Sequence, residues 1–230
     1  MIIKSILFNI IFYFTILFFG VLFLPSLISK KLTRLVVKFW SSIILYFLQN
    51  LIGAEIKYEN NYIYKNKGYL IAANHQSVFD TIFFLKQFDK AIYVVKKELK
   101  FLPIYGWYAV RLGNIFVDRR ERIKSVKKIS EKVNEAIKKK YKVIIFPEGT
   151  RQLGNKIGPM KPGIFAIQRH CKIRVYPIFI SSFQVWPKNT YIKSSMSIIV
   201  KSLKPLDISF DKKKFLYRLE NKFKKELKET

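Results

Sequence analysis

His75 and Asp80 stand five residues apart in Asn74-His75-Gln76-Ser77-Val78-Phe79-Asp80, at the end of an apolar run. An imidazole with a carboxylate partner is suited to taking a proton from a hydroxyl. On one continuous helix, residues five apart point roughly 140° away from each other, so the two side chains meet only across a turn. Tyr69 to Ala73 reads as a buried strand and Val78 to Leu85 as the start of a helix with Asp80 in its first turn. His75 is then expected in the strand-to-helix bend, folded back on Asp80. Taken alone, the pattern also fits a plain helix start, with Asp80 favoured near the N-terminus and His75 capping it.

Three further clusters lie where loops should follow strands, the place where open α/β sheets hold ligands. One is Gly113-Asn114-Ile115-Phe116-Val117-Asp118-Arg119. Another is Phe146-Pro147-Glu148-Gly149-Thr150-Arg151, directly after the apolar run Val143 to Ile145. It brings together a carboxylate, a turn glycine, a hydroxyl and a guanidinium, a set suited to a phosphate with neighbouring hydroxyls. The last is Lys161-Pro162-Gly163, a lysine ahead of a helix N-terminus and so a candidate anion site. Singly, Arg119 and Arg151 also read as surface ion-pair partners, Gly149 as an ordinary turn residue and Lys161 as a solvated lysine. His170 and Cys171, at the end of the apolar run Gly163 to Gln168, read as structural.

The elements that must position these residues alternate. Short β-rich runs at Ala91 to Val95, Ile115 to Val117, Lys142 to Ile145, Val175 to Ile180 and Ser197 to Val200 are separated by helical periods. This predicts an α/β fold, a central mixed sheet flanked by helices. The clearest helix runs from about Arg120 to Lys139, with Ile123, Val126, Ile129, Val133 and Ile137 on one stripe. Phe215, Leu219, Phe223 and Leu227 repeat the pattern near the C-terminus. With 230 residues, one α/β domain over 55–230 is expected, preceded by membrane-anchoring helices over 1–54.

No charged residue occurs from Ser5 to Ser29, a length that matches a membrane span of ~20 residues. The apolar region is longer than a signal peptide's and no small-x-small cleavage pattern follows it. Pro25 should end the first helix. Lys31, Arg34 and Lys38 share one face of the next helix. A full hairpin would carry this basic connector away from the catalytic side, against the positive-inside tendency. Two arrangements survive: the first segment spans, or both helices lie in the cytoplasmic leaflet with the basic face on lipid headgroups. The second is the expectation.

Lysine and arginine number 43 against 15 acidic residues, a net charge of +28 that calls for an anionic partner: nucleic acid, anionic lipid or an acidic carrier protein. The single cysteine excludes an intrachain disulfide and favours a cytoplasm-facing body. Two histidines and scattered carboxylates suggest no metal site, and no cofactor is expected.

Together these blocks resemble those of bacterial 1-acyl-sn-glycerol-3-phosphate acyltransferases, the lysophosphatidic acid acyltransferase family. The likeness covers roughly Tyr69 to Pro205. His75 to Asp80 looks like the family's NHQSxxD block, Lys96-Lys97-Glu98-Leu99 and Pro103-Ile104-Tyr105-Gly106-Trp107 like its KKEL and PxxGW elements, Phe146 to Arg151 like FPEGTR, and Val175-Tyr176-Pro177-Ile178 like its proline-containing block. Gly113 to Arg119 is similar to its second block. Val78-Phe79 falls where members vary, and Pro162 interrupts the Lys-x-Gly element.

The resemblance implies a glycerolipid acyltransferase-like fold, with His75 as general base, Asp80 orienting it, and Arg119, Glu148 and Arg151 binding the head group of lysophosphatidic acid. The residues Gly149, Thr150 and Lys161 are expected beside them. The implied reaction moves an acyl group from acyl-CoA or acyl carrier protein to the sn-2 hydroxyl, giving phosphatidic acid at the cytoplasmic face of a bacterial inner membrane rich in anionic lipids. Backbone N–H groups near Gly149 or the His75 turn are the candidates for stabilising the oxyanion. The alternatives are a related acyltransferase with another lyso-lipid acceptor, and a basic membrane-associated nucleic-acid-binding protein, for which no recognition motif is present.

Overall fold

Apolar runs of four to six residues form most of a seven-stranded sheet in a computed structural model that describes residues 1–59, 62, 67–118 and 124–230. The strands are β1 (Glu55–Glu59), β2 (Tyr69–Ala73), β3 (Ala91–Lys96), β4 (Ile115–Val117), β5 (Lys142–Ile145), β6 (Val175–Ile180) and β7 (Ser197–Ser202), in the order β1-β7-β6-β2-β5-β3-β4. From β6 to β4 all neighbours are parallel, whereas β7 runs antiparallel to β6 and carries β1 parallel to itself. The sheet is therefore mixed, as expected. The β1 edge strand, Glu-Ile-Lys-Tyr-Glu, was absent from the sequence expectation, because its alternating charges mask a half-exposed strand.

Every residue of β2 and β5 is buried, so these central strands read as unbroken apolar runs. Successive side chains leave a strand on opposite faces. Tyr69, Ile71 and Ala73 thus enter one core with α2 (Lys30–Asn50) and α3 (Phe79–Gln87), while Leu70 and Ala72 enter another with α5 (Lys124–Lys138), α6 (Gly163–Cys171) and α7 (Lys212–Glu229). In α7, Phe215, Leu219 and Phe223 are buried, each stabilising by roughly 1.5–3 kcal/mol. Asp211 caps that helix by accepting from the Lys214 N–H at 2.9 Å. The long helix expected from Arg120 is α5, and its first expected residues lie outside the described ones.

At the N-terminus, α1 (Ile2–Leu22) and α2 are long and apolar enough to cross a membrane by length and composition, with mean hydropathies of 2.3 and 1.2. One stripe of α1 nevertheless packs along the body. Phe8 and Phe12 meet Trp186 edge-on at 5.0 and 5.1 Å, and Ser5 Oγ accepts from the Lys193 N–H at 2.9 Å. The Lys193 ammonium is itself buried, donating to Asn9 Oδ1 and the Tyr191 carbonyl at 3.1 and 3.0 Å. Burial lowers its pKa to about 8. At the other end of α1, Tyr108 donates to the Gly20 carbonyl at 3.2 Å. The remaining face of α1, including Ile3, Ile10, Phe14 and Leu17, is exposed.

The basic face of α2 departs from expectation. Arg34 donates to Tyr141 Oη at 3.2 Å and lies over its ring, and Lys38 pairs with Asp89. These two cations meet carboxylate and aromatic partners on the α/β body, whereas Lys31 of the same face is exposed. A helical wheel shows which residues share a face, not what that face meets.

Candidate active site

The three central parallel strands β6, β2 and β5 deliver their carboxyl ends side by side, and the site is built on the loops that follow them. At the end of β2, Asn74 extends the ladder with its side chain. Its Nδ2 donates to the Ile180 carbonyl and its Oδ1 accepts from the Ile180 N–H, both at 2.8 Å. His75 is thereby released from the β2–β6 pairing and captured from the β5 side. Its N–H donates to Glu148 Oε1, and its carbonyl accepts from the Gln152 N–H, both at 2.8 Å.

Asp80 opens α3 with no exposed surface. Its Oδ2 accepts from His75 Nδ1 at 2.9 Å and from the backbone N–H groups of Gln76 and Ser77 at 2.8 and 2.9 Å. Its Oδ1 accepts from Ser182 Oγ at 2.5 Å, from the loop after β6. Four donors on one buried carboxylate satisfy it as an anion. An anionic Asp80 makes Nδ1 the protonated nitrogen of a neutral His75, leaving the Nε2 lone pair free to accept a proton. The imidazole stacks on Phe146 at 3.9 Å and 15°, and its side chain keeps 17% exposure.

The Phe146–Arg151 loop holds this turn from below. Gly149 adopts φ +75 and its N–H donates to the Phe146 carbonyl at 2.9 Å, a conformation that a side chain at this position would strain. Glu148 is buried, with Oε1 on His75 and Oε2 accepting from the Gly158 N–H at 2.7 Å. Burial pushes its pKa up to about 7 against the opposing effect of those two bonds. Both carboxylate oxygens accept from backbone donors, so Glu148 is placed to clamp the loop.

Of the other expected site residues, Arg151 lines the cavity beside His75. Thr150 is exposed, and Lys161 sends an exposed side chain outward while its N–H donates to the Pro147 carbonyl at 2.8 Å. Arg119 lies outside the described residues. Among the expected oxyanion donors, the amides of His75, Gln76, Ser77 and Gly149 serve the bonds above. Sequence reasoning missed Ser182, whose signal was a polar pair directly after a buried strand. It also missed Lys188, which donates to the Arg151 carbonyl at 3.1 Å and adds a cation at that rim.

Behind His75 opens an apolar cavity of about 470 Å³. Its walls come from α1 (Phe12, Phe19), α2 (Val36, Trp40) and α4 (Tyr105–Leu112), so the N-terminal helices help to complete the site. Ile104, also on the wall, sits at φ +61 and ψ −66, with the Tyr105 N–H donating to the Pro103 carbonyl at 2.6 Å. This is a γ-turn that a β-branched residue rarely adopts, costing of order 1–3 kcal/mol. A hydroxyl presented to Nε2 would thus meet a base at the mouth of a space sized for a hydrocarbon chain.

A model of the acyltransferase family matches residues 55–181. The 1-acyl-sn-glycerol-3-phosphate acyltransferase of Pseudomonas aeruginosa is 29% identical over 169 residues, 74% of this chain and 66% of that protein. The enzyme of that name from Escherichia coli is 30% identical over 138 residues, 60% of this chain and 56% of that protein. The chain thus spans between half and two thirds of the length of these relatives. Its fold is that of the crystal structure of the 1-acyl-sn-glycerophosphate acyltransferase PlsC from Thermotoga maritima, with a TM-score of 0.76, 21% identity, and coverage of 99% of this chain and 96% of that one.

Proposed function

Because the chain belongs to the acyltransferase family, we propose that it transfers an acyl group from a thioester to the sn-2 hydroxyl of 1-acyl-sn-glycerol-3-phosphate, lysophosphatidic acid. The observation that carries this reading is the 2.9 Å contact of His75 with a fully satisfied Asp80 at the mouth of an apolar cavity. His75 Nε2 takes the hydroxyl proton as the oxygen attacks the thioester carbonyl. The carbon–sulfur bond then breaks, and the imidazolium returns the proton to the leaving thiolate. Asp80 holds Nδ1–H and supports the transient positive charge, as does the face of Phe146 stacked against the ring. No covalent enzyme intermediate is required.

Arg151, with Lys188 beside it, is suited to the acceptor's phosphate, and Arg119, Thr150 and Lys161 are the further candidates. Glu148 acts by holding the His75 backbone. The cavity takes an acyl chain. The exposed face of α1 and the net charge of +28 support a seat on an anionic bilayer, in this reading the cytoplasmic face of a bacterial inner membrane, with acyl-CoA or acyl carrier protein as donor.

The test is transfer by the purified chain in anionic vesicles, with lysophosphatidic acid against lysophosphatidylglycerol as acceptors and acyl-CoA against acyl carrier protein as donors. Lysophosphatidic acid should be preferred, and His75→Ala should lose ~10²–10⁴-fold in kcat, the usual contribution of a general base. Substantial turnover by the alanine variant, or indifference to the acceptor's head group, would sink the assignment.

A further inference from the structure

The short helix α4 is apolar on two sides, and the 3₁₀ segment before it, Lys97–Phe101, leads into it through Phe101 and Leu102. The inward side carries Tyr108, Ala109 and Leu112, which are buried and line the cavity. The outward side carries Phe101, Leu102, Trp107 and Val110, exposed by 74, 48, 48 and 45%. A helix that is apolar all round belongs in a non-aqueous setting on every side. Here the cavity supplies that setting on one side only.

Two observations say what covers the other side. The first is continuity with α1, whose own outward face is apolar. Ile104, at the start of α4, packs so tightly on Gly20 that a Cβ added there would lie 2.4 Å from Ile104 Cγ2. Tyr108 bonds the Gly20 carbonyl, and Arg111 donates to the Ile28 carbonyl in the α1–α2 connection. The outward residues of α4 therefore extend the exposed Phe18, Val21 and Leu22 of α1 into one surface. The second is charge. Exposed Lys96, Lys97 and Lys100 edge the start of the segment, with Glu98 exposed among them and Lys97 within 3.3 Å of Asp118, and Lys30 Nζ reaches within 4.0 Å of the Cβ position at Gly113. Apolar residues edged by lysines match an anionic bilayer, with hydrocarbon below and headgroups at the rim.

We propose that Lys97–Leu112 is a second membrane-docking element, which inserts Phe101, Leu102, Trp107 and Val110 into an anionic bilayer beside α1. One helix then separates the cavity from lipid. The proposal rests on the membrane association in the reading above and not on its acyl-transfer chemistry.

The test uses the full chain with Trp40→Phe and Trp186→Phe, leaving Trp107 as the one tryptophan of the three. Its emission is read in vesicles of phosphatidylglycerol with acyl-brominated phosphatidylcholine, and separately against aqueous iodide. Brominated lipid should remove about half of the emission or more while iodide removes little, as for tryptophans of membrane-interface belts. Quenching by iodide with none by brominated lipid would overturn the proposal. Shielding from both would also overturn it, by showing the face covered by protein, such as a second copy of the chain. If the double replacement misfolds, Val110→Cys in a Cys171→Ser background, spin-labelled, gives the same contrast between dissolved oxygen and an aqueous nickel complex. Repeating the measurement on His75→Ala separates the two claims: lipid quenching persists there whether or not the acyl-transfer assignment stands.

Discussion

The polar end of the site and the apolar cavity behind it are built in opposite ways. At the polar end, nearly every atom is fixed by a named bond: four donors on Asp80, two on Glu148, and both backbone groups of His75. The cavity is lined mainly by apolar side chains, with only scattered pairs among its walls, such as Trp40 with Thr15, Tyr93 with the Thr81 carbonyl and Tyr108 with the Gly20 carbonyl. Its shape follows from where α1, α2 and α4 pack, and one of its walls includes a strained γ-turn at Ile104. The first region is specified by local chain geometry within a few residues of each strand end, the second by contacts between distant segments. Chemistry should therefore fail sharply when the polar end is altered, and selectivity should drift when the cavity is.

The largest effect expected is on Asp80→Asn. An amide keeps the shape but turns one N–H₂ toward donors and removes the charge that sets the His75 tautomer, and losses of ~10⁴ in kcat are known for such dyads. Single-turnover acyl transfer with a fluorescent donor would measure it, and a rate near wild type would end the dyad reading. Glu148→Gln tests the clamp through pH. With its pKa at about 7 in the folded protein against an ordinary 4.5, the buried carboxyl favours folding as the neutral acid. That contribution is complete below about pH 4.5 and is lost as pH rises through about 7, on the order of 3 kcal/mol. Unfolding midpoints of wild type and Glu148→Gln, followed from pH 4.5 to 8, should diverge over that window. Parallel curves would show that the carboxyl does not titrate there.

A smaller effect is expected for Ser182→Ala, which strips one donor from a buried carboxylate at a cost of about 1–3 kcal/mol in stability. The rate should fall about tenfold as Asp80 loosens, with KM for the acceptor nearly unchanged. A change confined to KM would move Ser182 into substrate binding. Gly20→Ala attacks the other region. Its new methyl meets Ile104 at 2.4 Å, so α1 and α4 must part at about 1–3 kcal/mol. Turnover of short acyl donors should persist while the preference among long ones shifts, and equal losses for all lengths would make the cavity part of the chemical machinery.

The same contrast decides what could be read from sequence. β2, β4, β5 and β6 end where the apolar runs end, and the His75–Asp80 turn follows from the spacing of two residues. Ser182 reaches Asp80 across 102 residues, and Phe12 and Trp40 reach the cavity from helices whose composition spoke only of lipid. Apolar periodicity marks a buried face without naming its partner. For that reason the Arg34–Lys38 face was expected on headgroups, and β1, with its alternating charges, was passed over. Glu148 shows the converse: its position in the loop was legible, but its engagement by two backbone amides was not.

The bond between Ser5 and Lys193 joins residues 188 positions apart, and so carries a consequence for biosynthesis. At ~5–20 residues per second, the ribosome delivers Lys193 roughly 10–40 s after α1. Throughout that interval Phe8 and Phe12 lack the Trp186 rings they finally pack against. A bilayer that receives α1 early shelters both of its faces while the sheet is made. On the proposed membrane docking, the late-emerging loop would then draw one stripe out of lipid and onto the body, and the membrane would serve first as the helix's chaperone and only later as its workplace.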